Sequence, residues 1–283
     1  METLVITLGY KCNFRCEHCI VGKKTEIGLT EREKELIAES VCRYGTKHVL
    51  FVGGEPTLYV EDMNDIISRF EAVKPELRMT TNGHFAQTRE KAMAVLESIP
   101  KLSGVNLSYD SLHAKFLPEK NIENLYSACK EKGLDFAVLM ALRSPMDLVM
   151  LKGLRKIGGF KVWIQKLLPA GSARDNGLGY KYPSFNEQVL AACCPTRKKV
   201  IYMCGQGFTI CCSGLVFETK TNRFVFPTVE ALLSSEFYRL MTESNFGEII
   251  KEFGLSGLEM LPEDSEPCTL CEHIYKAKYG ADL

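Results

Sequence analysis

The chain carries no surplus of charge: 35 Lys and Arg are matched by 35 Asp and Glu. Proteins held to nucleic acid or to an anionic membrane mainly by electrostatics need such a surplus, so its absence argues against both partners. No apolar run approaches the ~20 residues that cross a bilayer. The N-terminus METLVITLGYKC lacks a basic stretch followed by a long apolar core, so no export signal is read there. Neither an internal repeat nor a low-complexity tract is visible. What remains is ordinary globular composition, 46% hydrophobic and 25% charged, in 283 residues. That length holds one large domain, or a large and a small one. The abundant feature is cysteine. Twelve thiols without an export signal read as reduced cysteines or metal ligands in a reducing, cytoplasmic setting.

Cys12, Cys16 and Cys19 crowd into eight residues of the stretch ITLGYKCNFRCEHC, directly after an apolar run. Such a set suits an iron–sulfur cluster, whose usual ligands are thiolates. Three cysteines on a cubane with four iron corners leave one iron open to bind a small molecule. A structural zinc ion usually takes four ligands, often as two close pairs. His18 is the available fourth ligand, but it sits between two Cys where chelate geometry is poor. A disulfide framework does not suit a chain without an export signal and with unevenly spread cysteines. The spacing of three residues and then two resembles that of the radical S-adenosylmethionine (radical SAM) superfamily. Tyr10, Phe14 and His18 fit the same pattern as aromatic neighbours.

Hydrophobic periodicity predicts strands at 3–8, 47–52, 77–81, 104–110, 135–141 and 161–168. Helices are predicted at 29–44, 61–70, 87–98, 120–132 and 147–157. Thr30 with Glu33 gives the first helix a capping box. Strands alternating with helices imply parallel βα units. Six units fall short of the roughly 250 residues of a complete eight-unit barrel. The predicted fold is therefore α/β, a partial (β/α)6 TIM-like barrel, which is also the fold that the resemblance implies. In such barrels the chemistry sits at the C-terminal strand ends, and the triad, GGEP, TNG and SYD all fall there.

Gly53-Gly54-Glu55-Pro56 follows the second strand. Its glycines let backbone approach a ligand closely, and Pro stops further pairing; the alternative is a plain strand-to-helix turn. The resemblance implies that Gly53, Gly54 and Glu55 hold the amino group of SAM. Likewise Ser108 and Asp110, in LSYDS, are implied to contact its ribose, against the alternative of solvated turn residues. Asn82 reads as a turn residue, Arg143 as a surface residue or a partner for the SAM carboxylate, and His113 as a satisfied surface histidine.

Beyond residue 185 a second cysteine system begins. Cys193-Cys194 precede KKVIYMCGQGFTICC, a β-hairpin turning at Gly205-Gln206-Gly207, and Cys268-Thr-Leu-Cys271 lies at a loop-to-helix junction. A CxxC is a metal half-site to which the hairpin cysteines add the other half. This resembles the twitch extension of radical SAM enzymes, a short relative of the SPASM domain with one auxiliary 4Fe–4S cluster. The implied ligands are Cys194, Cys212, Cys268 and Cys271, with Cys193 and Cys211 as alternates, because strand neighbours face opposite sides. Zinc and a redox-active CxxC are the competing readings. Cys42, Cys129 and Cys204 read as buried thiols. The expected domains are the barrel, 1–185, and a small α+β (β-hairpin plus helix) cluster-binding extension, 186–283, joined by a linker that begins at LLPAG.

The resemblance implies an enzyme in which a 4Fe–4S cluster reductively cleaves SAM to a 5′-deoxyadenosyl radical that abstracts a substrate hydrogen atom. A fully ligated auxiliary 4Fe–4S cluster suits electron acceptance, hence a radical SAM oxidoreductase acting on a small molecule or on a peptide side chain. A flavodoxin- or ferredoxin-type electron donor is the expected partner. With the triad starting at residue 12, a peptide substrate's leader would be bound by another protein or by the twitch region. Molybdenum-cofactor cyclases are disfavoured by their different cysteine pattern and by the YGADL ending. The alternatives are a redox-neutral epimerase or mutase with a structural C-terminal metal, and a non-catalytic iron–sulfur or zinc protein.

Overall fold

A computed structural model describes residues 1–70, 73–218 and 221–280. Six parallel strands form its frame: β1 (Thr3–Thr7), β2 (His48–Val52), β3 (Glu76–Thr81), β4 (Gly104–Ser108), β5 (Asp135–Leu142) and β6 (Lys161–Lys166). The crossovers carry α1 (Glu31–Arg43), α2 (Val60–Ser68), α3 (Arg89–Glu97), α4 (Glu119–Glu131) and α5 (Met150–Ile157). The central strands are apolar on one face, while the other face of β3 and β4 carries Arg78, Thr80 and Asn106. Leu4, Ile6, Phe51, Met79, Val105, Leu107 and Val138 are fully buried in one core. This is the α/β barrel-type architecture read from the sequence, with predicted element bounds met to within a few residues.

Thr30 starts α1 as expected. Its Oγ1 accepts from the Glu33 amide at 3.3 Å, and Glu33 Oε2 accepts from the Thr30 amide at 2.8 Å. Glu33 also does something the capping pattern does not foretell. Its other oxygen accepts from Tyr202 Oη at 2.8 Å and from the Gly205 amide at 2.7 Å. These bonds fasten the hairpin of β7 (Lys199–Met203) and β8 (Gly207–Thr209) against α1. β7 lies parallel to β1, with Thr3 opposite Lys199 and Ile6 opposite Tyr202. The sheet therefore runs β6-β5-β4-β3-β2-β1-β7-β8, and the hairpin extends the barrel sheet at its β1 side.

The segment after β6 is more than a linker. The Ser172 amide donates to the Cys19 carbonyl at 2.9 Å. Arg174 makes a two-point contact with Glu272, 2.7 Å at each oxygen, and Glu272 follows Cys271 directly. Residues 171–174 thus bridge the triad loop to the C-terminal helix Pro267–Tyr279, which Pro267 opens at its first turn. The helix is anchored by Tyr275, buried among the rings of Phe224, Phe237 and Phe253. No helix among the described residues is long and apolar enough to cross a membrane.

Candidate functional site

A cavity of about 330 Å³ opens at the C-terminal ends of the barrel strands. Cys12, Cys16 and Cys19 line it from the loop after β1, Gly53 and Gly54 from the loop after β2, and Asn82 from the end of β3. Ser108, Asp110 and His113 close it from β4, and Gln165, Lys166 and Leu167 from β6 and its continuation. Residues from separate strand ends, scattered over about 155 positions of the chain, thus meet at one place.

The glycine shelf is built by contact of backbone with backbone. The Gly54 amide donates to Gly9 O at 2.9 Å, and the Glu55 amide to Lys11 O at 2.8 Å. A Cβ at Gly54 would stand 2.1 Å from Lys11 O. The two glycines therefore let the β2 loop lie directly on the strand that delivers the triad.

Glu55 turns the other way, away from the cavity, and is fully buried. Oε1 accepts from the Thr57 amide (3.2 Å), Thr57 Oγ1 (2.7 Å) and Thr81 Oγ1 (2.6 Å), while Oε2 accepts from the Asn82 amide at 2.8 Å. Burial pushes its carboxyl above the usual range, against the pull of these bonds. The carboxylate thus stitches the glycine shelf to the end of β3, and Glu55 is not among the residues that line the cavity.

Asn82 shapes a turn by accepting from the His84 amide at 2.9 Å. It also faces the triad: Nδ2 donates to Asn13 Oδ1 at 2.7 Å and approaches Cys12 Sγ at 3.8 Å. Burial, reinforced by the neighbouring Cys19 and Cys12, pushes the Cys16 thiol up to about 12. Crowded thiols resist losing their protons until a cation shares the charge, which is the condition a bound iron cluster supplies.

Asp110 is 2% exposed and already engaged. Oδ1 accepts from the Leu112 and His113 amides at 2.9 and 3.0 Å. Oδ2 lies 2.9 Å from His113 Nδ1 and 3.3 Å from His18 Nε2. Burial alone would raise this carboxyl; His113 and His18 outweigh it and hold it well below the usual range. The two imidazoles meet edge to face, 4.6 Å between centroids. His113 therefore belongs to the cavity wall, not to the open surface. Arg143 lies outside the lining and pairs with Asp147 at 3.5 Å.

Cys194, Cys211, Cys212, Cys268 and Cys271 converge on a second, smaller pocket. Cys193 does not line it. Cys211 and Cys212 lie beyond β8 in irregular backbone, so the alternation rule for strands does not separate them, and both reach the pocket. Burial and the surrounding thiols raise Cys268 and Cys271, and burial with Cys212 beside it pushes Cys211 up to about 12. Among the described residues, only His18, Asp110 and His113 form a set of three or more donors within 4.8 Å of one another. Four sulfurs around one zinc at the usual bond length stand only about 3.8 Å apart. Neither the triad nor the C-terminal cysteines bring three sulfurs within 4.8 Å of one another. All twelve cysteines are unpaired thiols.

Residues 6–141 match the family model of the radical SAM superfamily. That span, from 6 to 141, is the radical SAM part of the chain. The matched span runs from β1 into β5 and contains the triad, GGEP and the SYD segment. The C-terminal cysteines lie beyond it. Among curated relatives, the probable GTP 3′,8-cyclase of Sulfolobus acidocaldarius is 33% identical over 146 residues, 50% of this chain and 45% of that protein. The GTP 3′,8-cyclase of Aquifex aeolicus is 30% identical over 167 residues, 54% of this chain and 49% of that one. The chain thus spans about half the length of the curated relatives it matches. Among solved structures, native anSMEcpe with bound AdoMet and Cp18Cys peptide superposes with TM-score 0.60 at 16% identity, covering 98% of this chain and 96% of that one. Streptococcus suis SuiB bound to precursor peptide SuiA gives TM-score 0.52 at 16% identity, over 92% and 74%. These two likenesses extend through the C-terminal region and concern the fold.

Proposed function

We propose that the chain is a radical SAM enzyme whose cavity holds a 4Fe–4S cluster on Cys12, Cys16 and Cys19 with S-adenosylmethionine beside it. The observation that carries this reading is the meeting of the three thiols and the Gly53–Gly54 shelf in one cavity at the strand ends. In this reading the shelf presents backbone to the methionine end of SAM, and Ser108, which lines the same cavity, is a proposed ribose contact. Asp110 orients His18 and His113 from the same wall. When bound, the cluster and SAM supply one-electron cleavage of the sulfonium to methionine and a 5′-deoxyadenosyl radical able to abstract hydrogen from a C–H bond. A flavodoxin- or ferredoxin-type protein is the proposed electron source.

Cys194, Cys268 and Cys271, with Cys212 or Cys211, are the proposed ligands of an auxiliary 4Fe–4S cluster in the region 186–283. Four thiolates would leave that cluster no open iron, which suits electron acceptance and thus an oxidative outcome. The substrate is then a small molecule dehydrogenated at carbon, or a peptide side chain. The peptides in the anSMEcpe and SuiB structures are compatible with the latter. A second reading is redox-neutral. The sequence set cyclases aside, yet the curated relatives carry the name GTP 3′,8-cyclase, which describes a ring closure. The YGADL ending used against that class reaches into 281–283, outside the described residues.

The test is SAM turnover by anaerobically reconstituted protein. With dithionite, methionine and 5′-deoxyadenosine should form in equal amounts. Without reductant, or in Cys16→Ala, they should not. Iron-loaded protein that leaves SAM intact under reduction would sink the reading.

A further inference from the structure

Few buried polar side-chain atoms among the described residues lack a hydrogen-bond partner: His18 Nδ1, Lys24 Nζ, Thr46 Oγ1, Ser111 Oγ and Tyr275 Oη. Two of these five, on His18 and Lys24, belong to residues that line the cavity at the strand ends. Lys24 is the more telling, since a buried ammonium without a partner is far costlier than a buried hydroxyl.

The protein treats another buried lysine quite differently. Lys34 on α1, its side chain 9% exposed, is ringed by Glu31, Asp62 and Asp65. Lys24 forms no ion pair among the described residues. The carboxylate in the same cavity, Asp110, is already taken by two backbone amides and two imidazoles. No other Asp or Glu lines that space. The loop carrying Lys24 is pinned close to the triad, with the Gly22 amide donating to Cys19 O at 3.1 Å. The Lys24 ammonium lies near enough to Cys16 to pull that thiol down, but no carboxylate lining the cavity is free to pair with it.

We propose that Lys24 Nζ is the anion anchor of this cavity, taking a carboxylate or phosphate oxygen of the molecule bound there. The inference rests on the reading above that the cavity takes SAM. Two sources offer the same chemistry: the methionine carboxylate of SAM, or an acidic group on the substrate. Lys24→Met removes the charge and keeps the length of the stem; Lys24→Arg keeps the charge.

The experiment is equilibrium binding to reconstituted wild type, K24M and K24R at matched iron content. The probes are SAM, decarboxylated SAM, and inorganic phosphate added to SAM-loaded protein. If SAM supplies the anion, K24M weakens SAM binding about 10- to 100-fold, the range for a charge-assisted hydrogen bond. K24R then restores part of it, and decarboxylated SAM binds wild type and K24M alike. If the substrate supplies the anion, SAM binds all three equally, and phosphate binds SAM-loaded wild type but not K24M. Should neither SAM nor phosphate distinguish K24M from wild type, the proposal is overturned, and the ammonium merely offsets thiolate charge. Wild type that holds iron yet binds no SAM would instead sink the functional reading, leaving Lys24 to be judged on phosphate alone.

Discussion

Gly54 has no room for even one more carbon, because its missing Cβ would fall inside contact distance of the Lys11 carbonyl. Gly54→Ala should therefore push the β2 loop off the strand that delivers the triad, costing about 1–3 kcal/mol as overpacking does and lowering SAM affinity. Thermal unfolding and SAM titration check it together; unchanged affinity would mean the shelf is not part of the ligand site. Glu55→Ala leaves four donors facing an empty buried space, a loss on the order of 3 kcal/mol, visible in urea unfolding of the apoprotein. Asp110 adds a pH dependence. Its carboxyl is held below the usual range, so its contribution is complete above about pH 4 and is lost as pH falls toward the depressed value. The urea midpoint of wild-type apoprotein should drop more between pH 6 and pH 3 than that of Asp110→Asn, and parallel drops would contradict the assignment. Cys12, Cys16, Cys19 and the GGEP glycines were legible because their chemistry is local in sequence. The inward turn of Glu55, the cavity position of His113 and the isolation of Lys24 were not, since each depends on what distant strands bring beside them.

The βα crossovers were legible for a different reason: buried parallel strands and amphipathic helices leave distinct periodicities. The hairpin of β7 and β8 was legible as a hairpin, but its pairing with β1 was not. Nothing local says which sheet edge an apolar strand will choose, and the Glu33 bonds that fix the choice cross about 170 positions. The segment 169–175 looked like a linker because Gly, Ser and Pro mark loops. In the structure it spans from the Cys19 carbonyl to Glu272, beside Cys271. Arg174→Met should accordingly destabilise the apoprotein by about 1–2 kcal/mol, less than for a fully buried pair because Arg174 is 38% exposed. It should also make Cys268 and Cys271 react faster with a thiol reagent while Cys12 keeps its rate. Equal acceleration at both sites, or none, would remove the bridging role.

Two cysteine-lined pockets in one chain give the molecule its overall logic. One sits at the strand ends within the matched radical SAM span, and the other lies on the C-terminal region, bridged to the first by residues 171–174. The proposed auxiliary cluster there would allow an electron to leave a substrate radical, whereas a zinc ion would leave redox-neutral chemistry such as ring closure. Iron, sulfide and zinc per chain, measured after anaerobic reconstitution of wild type and of a Cys12/Cys16/Cys19→Ala variant, test this most directly. Two cubane clusters require about eight irons in wild type and about four in the variant, without zinc. About four irons in wild type falling to none, with one zinc retained in both, would contradict the auxiliary cluster and leave the C-terminal cysteines a structural metal site.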